Sequence, residues 1–183
     1  CGIIGYIGKR DVTPVLLDGL KKLEYRGYDS AGIAVLDGDK IDVVKTKGRL
    51  SVLEEKLKNV DIKGNVGIGH TRWATHGEPN DVNSHPHLSN NGKIAVVHNG
   101  IIENYMQLKE FLISKGYTFK SETDSEVITN LIEYNYKGDL LQAVIQTLND
   151  VEGAYALGVI CTECPDKFVA ARKDSPLIIG LGK

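Results

Sequence analysis

The sequence predicts an α+β fold in which helices cover antiparallel sheets. Short segments rich in β-branched residues alternate with segments of helical periodicity, and no internal repeat or low-complexity linker interrupts them. Asp37-Gly38 lies between two such short segments, which is a strong hairpin signal and makes the two strands antiparallel neighbours. Runs of strands on each side of packed helices favour two layered antiparallel sheets over a parallel βαβ arrangement.

The first half of the chain is predicted to contain strands and two helices. Asp11 is expected to cap the first helix, whose apolar residues recur with helical spacing and which Gly27 ends. The predicted ranges are 2–7, 32–36, 41–45 and 66–71 for the strands, and 12–25 and 52–57 for the helices. A loop rich in Gly, Pro, Asn and His is then predicted from Trp73 to Asn91. Loops of that length inside compact domains are usually functional or disordered.

The second half is predicted to contain helices between further strands. A strand over 94–97 precedes a helix over 105–115, which Gly116 ends. Thr123 and Glu126 have the spacing of a capping box, which predicts the start of the next helix. The apolar face of a third helix is expected to contain Leu141, Val144, Ile145 and Leu148. From residue 154 onward, strand-like runs alternate with turns, and the last of them covers 177–181.

Composition limits the classes of partner. The net charge is -2, with Lys and Arg scattered among Asp and Glu, so we expect neither nucleic acid nor an anionic membrane as a partner. No apolar run approaches the ~20 residues that a membrane span needs, which predicts one soluble globular domain. Three cysteines do not make a disulfide framework, and no signal-peptide pattern is present, so a cytoplasmic location is expected.

Histidines and cysteines raise the possibility of a metal site. The chain has five histidines, two of them in His85-Pro86-His87, and a Cys161-x-x-Cys164 pair. No second C-x-x-C motif follows, and no H-x₃₋₅-H motif follows the cysteine pair to complete a zinc site. We therefore expect no metal and no cofactor, and we expect Cys161 and Cys164 to be structural thiols.

The first residue is a candidate nucleophile. A terminal Cys1 brings its own α-amino group within a few bonds of the sulfur. Because that amine has a reference pKa of about 7.7–8.0, against about 8.5 for the thiol, it can act as a general base near neutral pH. Free cysteines are also among the most buried residues. The position alone therefore leaves a small buried hydrophobic residue as the alternative.

Five segments strengthen the first interpretation. They are CGIIG (1–5), LEYRGYDSAG (23–32), HTRWATHG (70–77), HNGIIEN (98–104) and SETD (121–124). In this order they resemble the glutaminase domains of the glucosamine-6-phosphate synthases, the isomerising glutamine–fructose-6-phosphate aminotransferases, over essentially the whole chain. The resemblance implies one class II glutamine amidotransferase domain across residues 1–183, with a four-layer αββα N-terminal-nucleophile hydrolase fold. It also implies that the last strands of that domain lie beyond residue 183.

The resemblance assigns roles to individual residues. The implied catalytic residues are the nucleophile Cys1, which forms a γ-glutamyl thioester, and the oxyanion-hole residues Asn99 and Gly100. The implied substrate contacts are Arg72 to the α-carboxylate, Asp124 to the α-ammonium, and Trp73, Thr75 and His76 in a loop that closes over glutamine. Arg26 is implied to support the nucleophile, since a nearby positive charge favours the thiolate.

Each of these positions also has a structural interpretation. Asn99-Gly100 is a type I′ hairpin signature, and Arg72 could be an ordinary surface arginine at a strand end. Asp124 would suit the dipole in the first turn of a helix, and Arg26 would suit a helix C-terminus. The glycine and proline at 77 and 79 are compatible with a plain surface turn. The residue pattern alone leaves these alternatives open.

The expected function is hydrolysis of L-glutamine to glutamate and ammonia. The resemblance implies that ammonia passes to a sugar-phosphate isomerase domain, absent from this chain, which makes glucosamine 6-phosphate from fructose 6-phosphate. It also implies that the full-length enzyme is a homo-oligomer. Two alternatives remain open from the sequence. One is an amidotransferase of another pathway, such as the purine phosphoribosyl type, and the other is a non-catalytic glutamine-binding module.

Overall fold

Two antiparallel sheets form the centre of the protein. The computed structural model describes residues 1–74 and 77–182, and within them it contains two four-stranded sheets. The first sheet has the order β1-β4-β2-β3 and comprises β1 (Gly2–Ile7), β2 (Ser30–Asp37), β3 (Lys40–Lys47) and β4 (Val66–Arg72). The second has the order β5-β6-β7-β8 and comprises β5 (His87–Leu88), β6 (Ile94–Ile102), β7 (Gly153–Cys161) and β8 (Val169–Lys173).

Helices cover the outer face of each sheet. On the first sheet lie α1 (Val12–Lys22) and α2 (Leu50–Leu57), with a short 3-10 turn at Glu24–Arg26. On the second lie α3 (Tyr105–Ser114), α4 (Asp124–Asn135) and α5 (Leu140–Asp150). None of the helices within the described ranges is long and apolar enough to cross a membrane.

Three apolar layers hold these elements together. Leu16 and Leu20 of α1 pack with Ile33 under the first sheet, and Ile128 of α4 packs against the outer face of the second. Between the sheets, Ile68 packs in one cluster with residues of β6 and β7. Burial of one such side chain contributes about 1.5–3 kcal/mol. The order of layers is αββα, which confirms the predicted fold class.

The first helix differs from its prediction at both ends. It ends at Lys22 rather than near residue 25, and a 3-10 turn follows it before Gly27, whose φ is 75°. Asp11 occupies the N-cap position, but its side chain makes no capping hydrogen bond. The first helical N–H, that of Val12, instead donates to the carbonyl of Gly64 at 2.8 Å. A carbonyl from a distant loop therefore satisfies the first donor of the helix, and the Asp11 side chain satisfies none.

The predicted hairpin is present, with its turn shifted by one residue. Asp37 pairs with Lys40, so the two residues of the turn are Gly38 and Asp39 rather than Asp37 and Gly38. Gly38 has a φ of 63° at the first central position. That position requires glycine in a type II′ turn, which matches the twist of the flanking strands.

The hairpin interpretation of Asn99-Gly100 is wrong. Strand β6 continues through both residues to Ile102, and Asn99 and Gly100 pair with Ala156 and Tyr155 of β7. Gly100 has a φ of 121°, and a Cβ atom there would lie 2.1 Å from the carbonyl oxygen of Ala154. Glycine is therefore needed because the two strands approach closely in a conformation that other residues rarely adopt.

The predicted N-cap of α4 is confirmed, but only half of the capping box forms. The Thr123 hydroxyl accepts a hydrogen bond from the Glu126 N–H at 3.3 Å. The Glu126 carboxylate does not return this bond. It accepts from the backbone N–H of Ser121 at 2.7 Å and from that of Lys120 at 3.0 Å. Glu126 thus fixes the segment that leads into the helix.

Near the end of the chain, the third helix is confirmed but part of its predicted apolar face is exposed, and the last predicted strand-like run is wrong. In α5 the buried face contains Leu140, Ala143 and Val144, whereas Leu141 and Ile145 are 51% and 44% exposed. Of the four predicted apolar residues, Val144 is buried and Leu148 packs against the core, whereas the other two face solvent. Residues 177–181 form no strand within the described part of the chain, and Ile178 is 93% exposed. An apolar run without a neighbouring strand has no partner for its backbone hydrogen bonds.

Candidate active site

Cys1 lies beside the end of β4. Strand β1 pairs with β4, and Gly2 lies opposite Thr71, so the preceding residue reaches the point where β4 ends. The Trp73 N–H donates to the Cys1 sulfur at 3.1 Å, and the sulfur lies 3.5 Å from the Trp73 carbonyl oxygen. The thiol is partly exposed, so the interpretation of Cys1 as a buried hydrophobic residue is wrong.

The pKa of the Cys1 α-amino group is lowered, which favours its neutral form. Partial burial lowers the pKa of this amine below its usual value of 8.0, and the Arg26 guanidinium lowers it further. The Asp29 carboxylate opposes both effects. Arg26 also donates to the Cys1 carbonyl oxygen at 3.3 Å, which holds the first residue in place. A larger fraction of the amine is therefore unprotonated near neutral pH than in a free peptide.

One cavity brings six of the candidate residues together. Cys1 and the last residues of β4 form one side, and β6 and the start of α4 form the other. The candidate residues that line it are Cys1, Arg72, Trp73, Asn99, Gly100 and Asp124. The nucleophile candidate therefore directly precedes a strand of the first sheet, and the oxyanion-hole candidates lie in a strand of the second.

Arg72 is not an ordinary surface arginine. It is 4% exposed, and its guanidinium donates to the Gly77 carbonyl oxygen at 3.4 Å. Burial lowers its pKa, while the carboxylates of Asp29, Asp124 and Glu122 act in the opposite direction. The guanidinium lies at the cavity wall, where it can also donate to a negative ligand.

Asp124 combines a structural contact with a place on the cavity wall. One carboxylate oxygen accepts from the Ile102 N–H at 2.9 Å, which joins the start of α4 to the end of β6. Its position in the first turn also suits the helix dipole. The predicted structural role is therefore present. Asp124 is 5% exposed and carries the charge opposite to that of Arg72, so the cavity has one wall of each sign.

Comparison with protein families identifies the chain. A family model described as a glutamine amidotransferase domain matches residues 70–180. The chain belongs to the glutamine amidotransferase family. The match covers the end of β4, the loop after it, β6 and the start of α4, which supply most of the cavity wall.

Relatives of this amidotransferase include two that are named glutamine–fructose-6-phosphate aminotransferase [isomerizing]. The protein from Clostridium tetani is 63% identical over 183 residues, and the one from Thermus thermophilus is 55% identical over 183 residues. Each match covers 100% of this chain and 30% of the relative. The chain therefore spans about a third of the length of the curated relatives that it matches.

Solved structures confirm the amidotransferase fold. The glutamine phosphoribosylpyrophosphate amidotransferase from B. subtilis, complexed with ADP and GMP, superimposes with a TM-score of 0.76 at 32% identity. That match covers 88% of this chain and 35% of the other. A structure described as the allosteric regulatory enzyme of purine biosynthesis gives a TM-score of 0.78 at 33% identity, with 88% and 36% covered.

The remaining predicted positions of the amidotransferase do not line the described cavity. Arg26 does not line the cavity, but it contacts Cys1 by donating a hydrogen bond to its carbonyl oxygen. Thr75 and His76 lie outside the described residues. Cys161 at the end of β7 and Cys164 just after it are buried in the core, away from the cavity. In the described ranges, no group of three or more His, Cys, Asp or Glu side chains is arranged to hold a metal ion.

Sequence reasoning missed two residues that position the amidotransferase site. Asp29 accepts from the Ala74 N–H at 2.8 Å, and its own N–H donates to the Arg72 carbonyl oxygen at 2.7 Å. His70 contacts Asn99 across the two sheets at 2.9 Å. Both lie inside the segments that carry the family resemblance, and that membership was the signal available in the sequence.

Proposed function

We propose that this chain hydrolyses L-glutamine to L-glutamate and ammonia, with Cys1 as the nucleophile. Residues 1–183 would act as one glutaminase domain. The observation that carries the proposal is the position of Cys1, whose sulfur and free amine lie at a cavity that also contains Arg72 and Asp124. Family membership supports glutamine as the substrate. The positions of the cavity residues support the role that is proposed for each of them.

Opposite charges in the cavity suit the amino-acid end of glutamine. The planar guanidinium of Arg72 can donate two parallel hydrogen bonds to the α-carboxylate. Asp124 uses one oxygen for the Ile102 N–H, and a carboxylate has further acceptor sites for the α-ammonium. With that end held, the side-chain amide extends toward Cys1. Trp73, which is 59% exposed, is proposed to close over the ligand together with Thr75 and His76.

Acylation needs one proton to move twice. The Cys1 sulfur attacks the amide carbon of glutamine as its proton passes to the α-amine, and a carbon–sulfur bond forms. The carbonyl oxygen becomes an oxyanion, which accepts hydrogen bonds from the Asn99 side-chain NH2 and the Gly100 N–H. The carbon–nitrogen bond then breaks, and the α-ammonium gives its proton to the departing nitrogen. The products are ammonia and a γ-glutamyl thioester on Cys1.

Deacylation repeats the same proton path with water. The oxygen of a water molecule attacks the thioester carbon while the α-amine takes a proton from that water. The Asn99 NH2 and the Gly100 N–H then donate to the second oxyanion. The carbon–sulfur bond breaks, the proton returns to sulfur, and glutamate leaves. Each such donor contributes about 10²–10³ in rate. Water must be kept away until ammonia has left, which is the role proposed for the loop that carries Trp73.

The proposed pathway is glucosamine 6-phosphate synthesis from fructose 6-phosphate. Relatives at 55–63% identity are named for that reaction, whereas the purine-pathway structures are 32–33% identical. Because the chain spans 30% of those relatives, the ammonia is proposed to pass to a sugar-phosphate isomerase domain in the full-length enzyme. That enzyme is proposed to be a cytoplasmic homo-oligomer. This chain alone would release glutamate without making the sugar product.

The pH dependence of turnover should change when Arg26 is replaced. The reactive amine is the unprotonated one, so the rate rises as the pH rises through the amine pKa. Burial and Arg26 hold that pKa below 8.0, so the acidic limb of kcat/KM should lie below pH 8.0. Arg26→Met removes the second cause, and the limb should move to higher pH. A profile measured from pH 5.5 to 9 (roughly the span around that reference value) tests this.

A matched control for Arg26 is Arg10→Met. Arg10 is an exposed arginine whose guanidinium lies over the Tyr6 ring, 5.7 Å from its centroid, and it is absent from the causes that shift the amine pKa. Its profile should coincide with that of the unsubstituted chain. Identical limbs for Arg26→Met and the control would mean that the amine is not the titrating base.

Covalent labelling tests the proposed function directly. The glutamine analogue 6-diazo-5-oxo-L-norleucine carries an electrophile where glutamine has its amide, and mass mapping should find one adduct, on Cys1. Glutamine in excess should slow the labelling. Cys161 and Cys164 are internal controls because both are buried thiols. Labelling at either of them, or reversible binding without an adduct, would contradict the proposal and favour a non-catalytic glutamine-binding module.

A further inference from the structure

His70 connects the two sheets at the floor of the cavity. It belongs to β4 of the first sheet, and its ring nitrogen Nε2 lies 2.9 Å from the Asn99 side-chain oxygen in β6 of the second. The same nitrogen lies 3.0 Å from the backbone carbonyl oxygen of His98. The residue is 1% exposed, so water does not compete for these contacts.

The His98 carbonyl determines which nitrogen of His70 carries the proton. A carbonyl oxygen can only accept, and this one is part of a strand that is paired with β7, where His98 lies opposite Leu157. Nε2 must therefore carry hydrogen. Burial lowers the pKa of His70 to about 3, so the ring is neutral at ordinary pH and holds a single proton. That proton is on Nε2, and Nδ1 is unprotonated.

The proton on Nε2 in turn determines the orientation of the Asn99 amide. An amide has an accepting oxygen at one end and a donating NH2 at the other. Since Nε2 is a donor, Asn99 meets it with its oxygen. Rotation of the amide by half a turn would set NH2 against N–H and leave the amide nitrogen that faces His70 without an acceptor, which costs about 1–3 kcal/mol.

The ring of His70 is itself held in place. His85 stacks on it with ring centroids 4.1 Å apart and an angle of 13° between the planes. The backbone of His85 lies against β2, because a Cβ atom on Gly32 would come within 2.1 Å of the His85 carbonyl oxygen. Packing therefore limits rotation of the His70 ring and keeps Nε2 directed at Asn99.

We propose that His70 is a positioning residue that, by donating to the Asn99 oxygen, keeps the Asn99 NH2 directed into the cavity where the oxyanion forms. This inference rests on the proposed function, since it gives His70 a role through the oxyanion hole. It makes the His98 carbonyl, the His70 proton and the Asn99 amide a chain in which each member sets the orientation of the next. Without the donor, the amide could present its oxygen to the oxyanion, and like partial charges would repel.

Steady-state kinetics of two His70 variants tests the inference. In His70→Leu the donor is lost, and kcat should fall toward the about 10²–10³-fold loss that removal of one oxyanion donor causes. KM for glutamine should stay within about twofold, because Arg72 and Asp124 are unchanged. His70→Gln places an NH2 near the position of Nε2, and the same carbonyl orients it. This variant should recover most of the lost kcat, which a purely structural role would not predict.

A double-mutant cycle with Asn99→Ala separates the proposed role from an independent one. If His70 acts through Asn99, adding His70→Leu to Asn99→Ala should leave kcat unchanged. Losses that multiply would overturn the inference, as would a single variant His70→Leu with the kcat of the unsubstituted chain. In both cases the proposed function would stand. Absence of Cys1-dependent glutamate release from the unsubstituted chain would instead overturn the proposed function.

A spectroscopic readout needs no substitution and covers the case in which His70→Leu does not fold. Nitrogen-15 NMR of the unsubstituted chain should show His70 as a neutral ring with hydrogen on Nε2 and none on Nδ1 between pH 6 and 8 (roughly the range in which an exposed histidine titrates). The other tautomer, or a protonated ring in that range, would overturn the inference.

Discussion

Replacing Cys1 with alanine is expected to reduce glutamate release to the uncatalysed background. The sulfur is the atom proposed to form the thioester, and no second thiol lines the cavity in the described part of the chain. Removal of a nucleophile that acts as a unit with its base has cost on the order of 10⁶ in kcat in a serine protease. Cys1→Ser should retain a small residual rate, because a hydroxyl is a weaker nucleophile that can occupy the same site.

Binding measurements complete this first prediction. Cys1→Ala should still bind glutamine by calorimetry, since Arg72 and Asp124 hold the amino-acid end. Cys164→Ser is the matched control, because it changes a buried thiol outside the cavity and should leave kcat near that of the unsubstituted chain. A Cys1→Ala protein that hydrolysed glutamine at the original rate would remove the basis of the catalytic assignment.

Blocking the α-amine of Cys1 is expected to have the next largest effect. Acetylation turns a basic nitrogen into an amide that can neither accept the thiol proton nor return it to the departing ammonia. General base catalysis contributes typically about 10²–10⁴, and kcat should fall by that factor. Burial and Arg26 lower the pKa of this amine, so more of it is available as a base near neutral pH. Intact mass before and after treatment gives the modified fraction.

A methylated amine distinguishes chemistry from bulk. Monomethylation of the α-nitrogen adds a group to the same atom but keeps the nitrogen basic, so a chain modified in this way should retain much more activity than the acetylated one. Equal losses in the two forms would mean that crowding near Cys1, rather than the missing base, explains the effect. Full activity of the acetylated chain would exclude the amine as the proton carrier.

Local signals predicted much of the fold. The Thr123 cap, the glycine that follows α3 and the hairpin near Gly38 depend on contacts within a few residues, and all three are present. Predictions failed where a distant segment supplied the contact. Asn99-Gly100 has the local pattern of a turn, but pairing with β7, more than fifty positions later, keeps both residues in a strand.

The candidate site was predictable from the family motifs and much less from the periodicity of apolar residues. Cys1, Arg72, Asn99 and Asp124 lie in segments far apart in sequence, and the family resemblance brought them together before the structure did. Periodicity could not have done so, since no local pattern specifies that β1 and β6 meet at one cavity. The contact between His70 and Asn99 joins positions 29 apart on different sheets, and only the packed fold defines it.

The division of the cavity between two sheets has a consequence for engineering the protein. Cys1 precedes a strand of one sheet and Asn99 lies in the other, so the distance between the proposed nucleophile and the proposed oxyanion donors depends on the spacing of the two sheets. Apolar side chains such as Ile68 and Val97 pack between the sheets. Misplacement by about 1 Å can cost 10² in rate. Thermostabilised variants with a repacked interior should therefore be screened for turnover as well as for melting temperature. A change of one methyl group in that layer is expected to alter the distance between the groups on the two sheets.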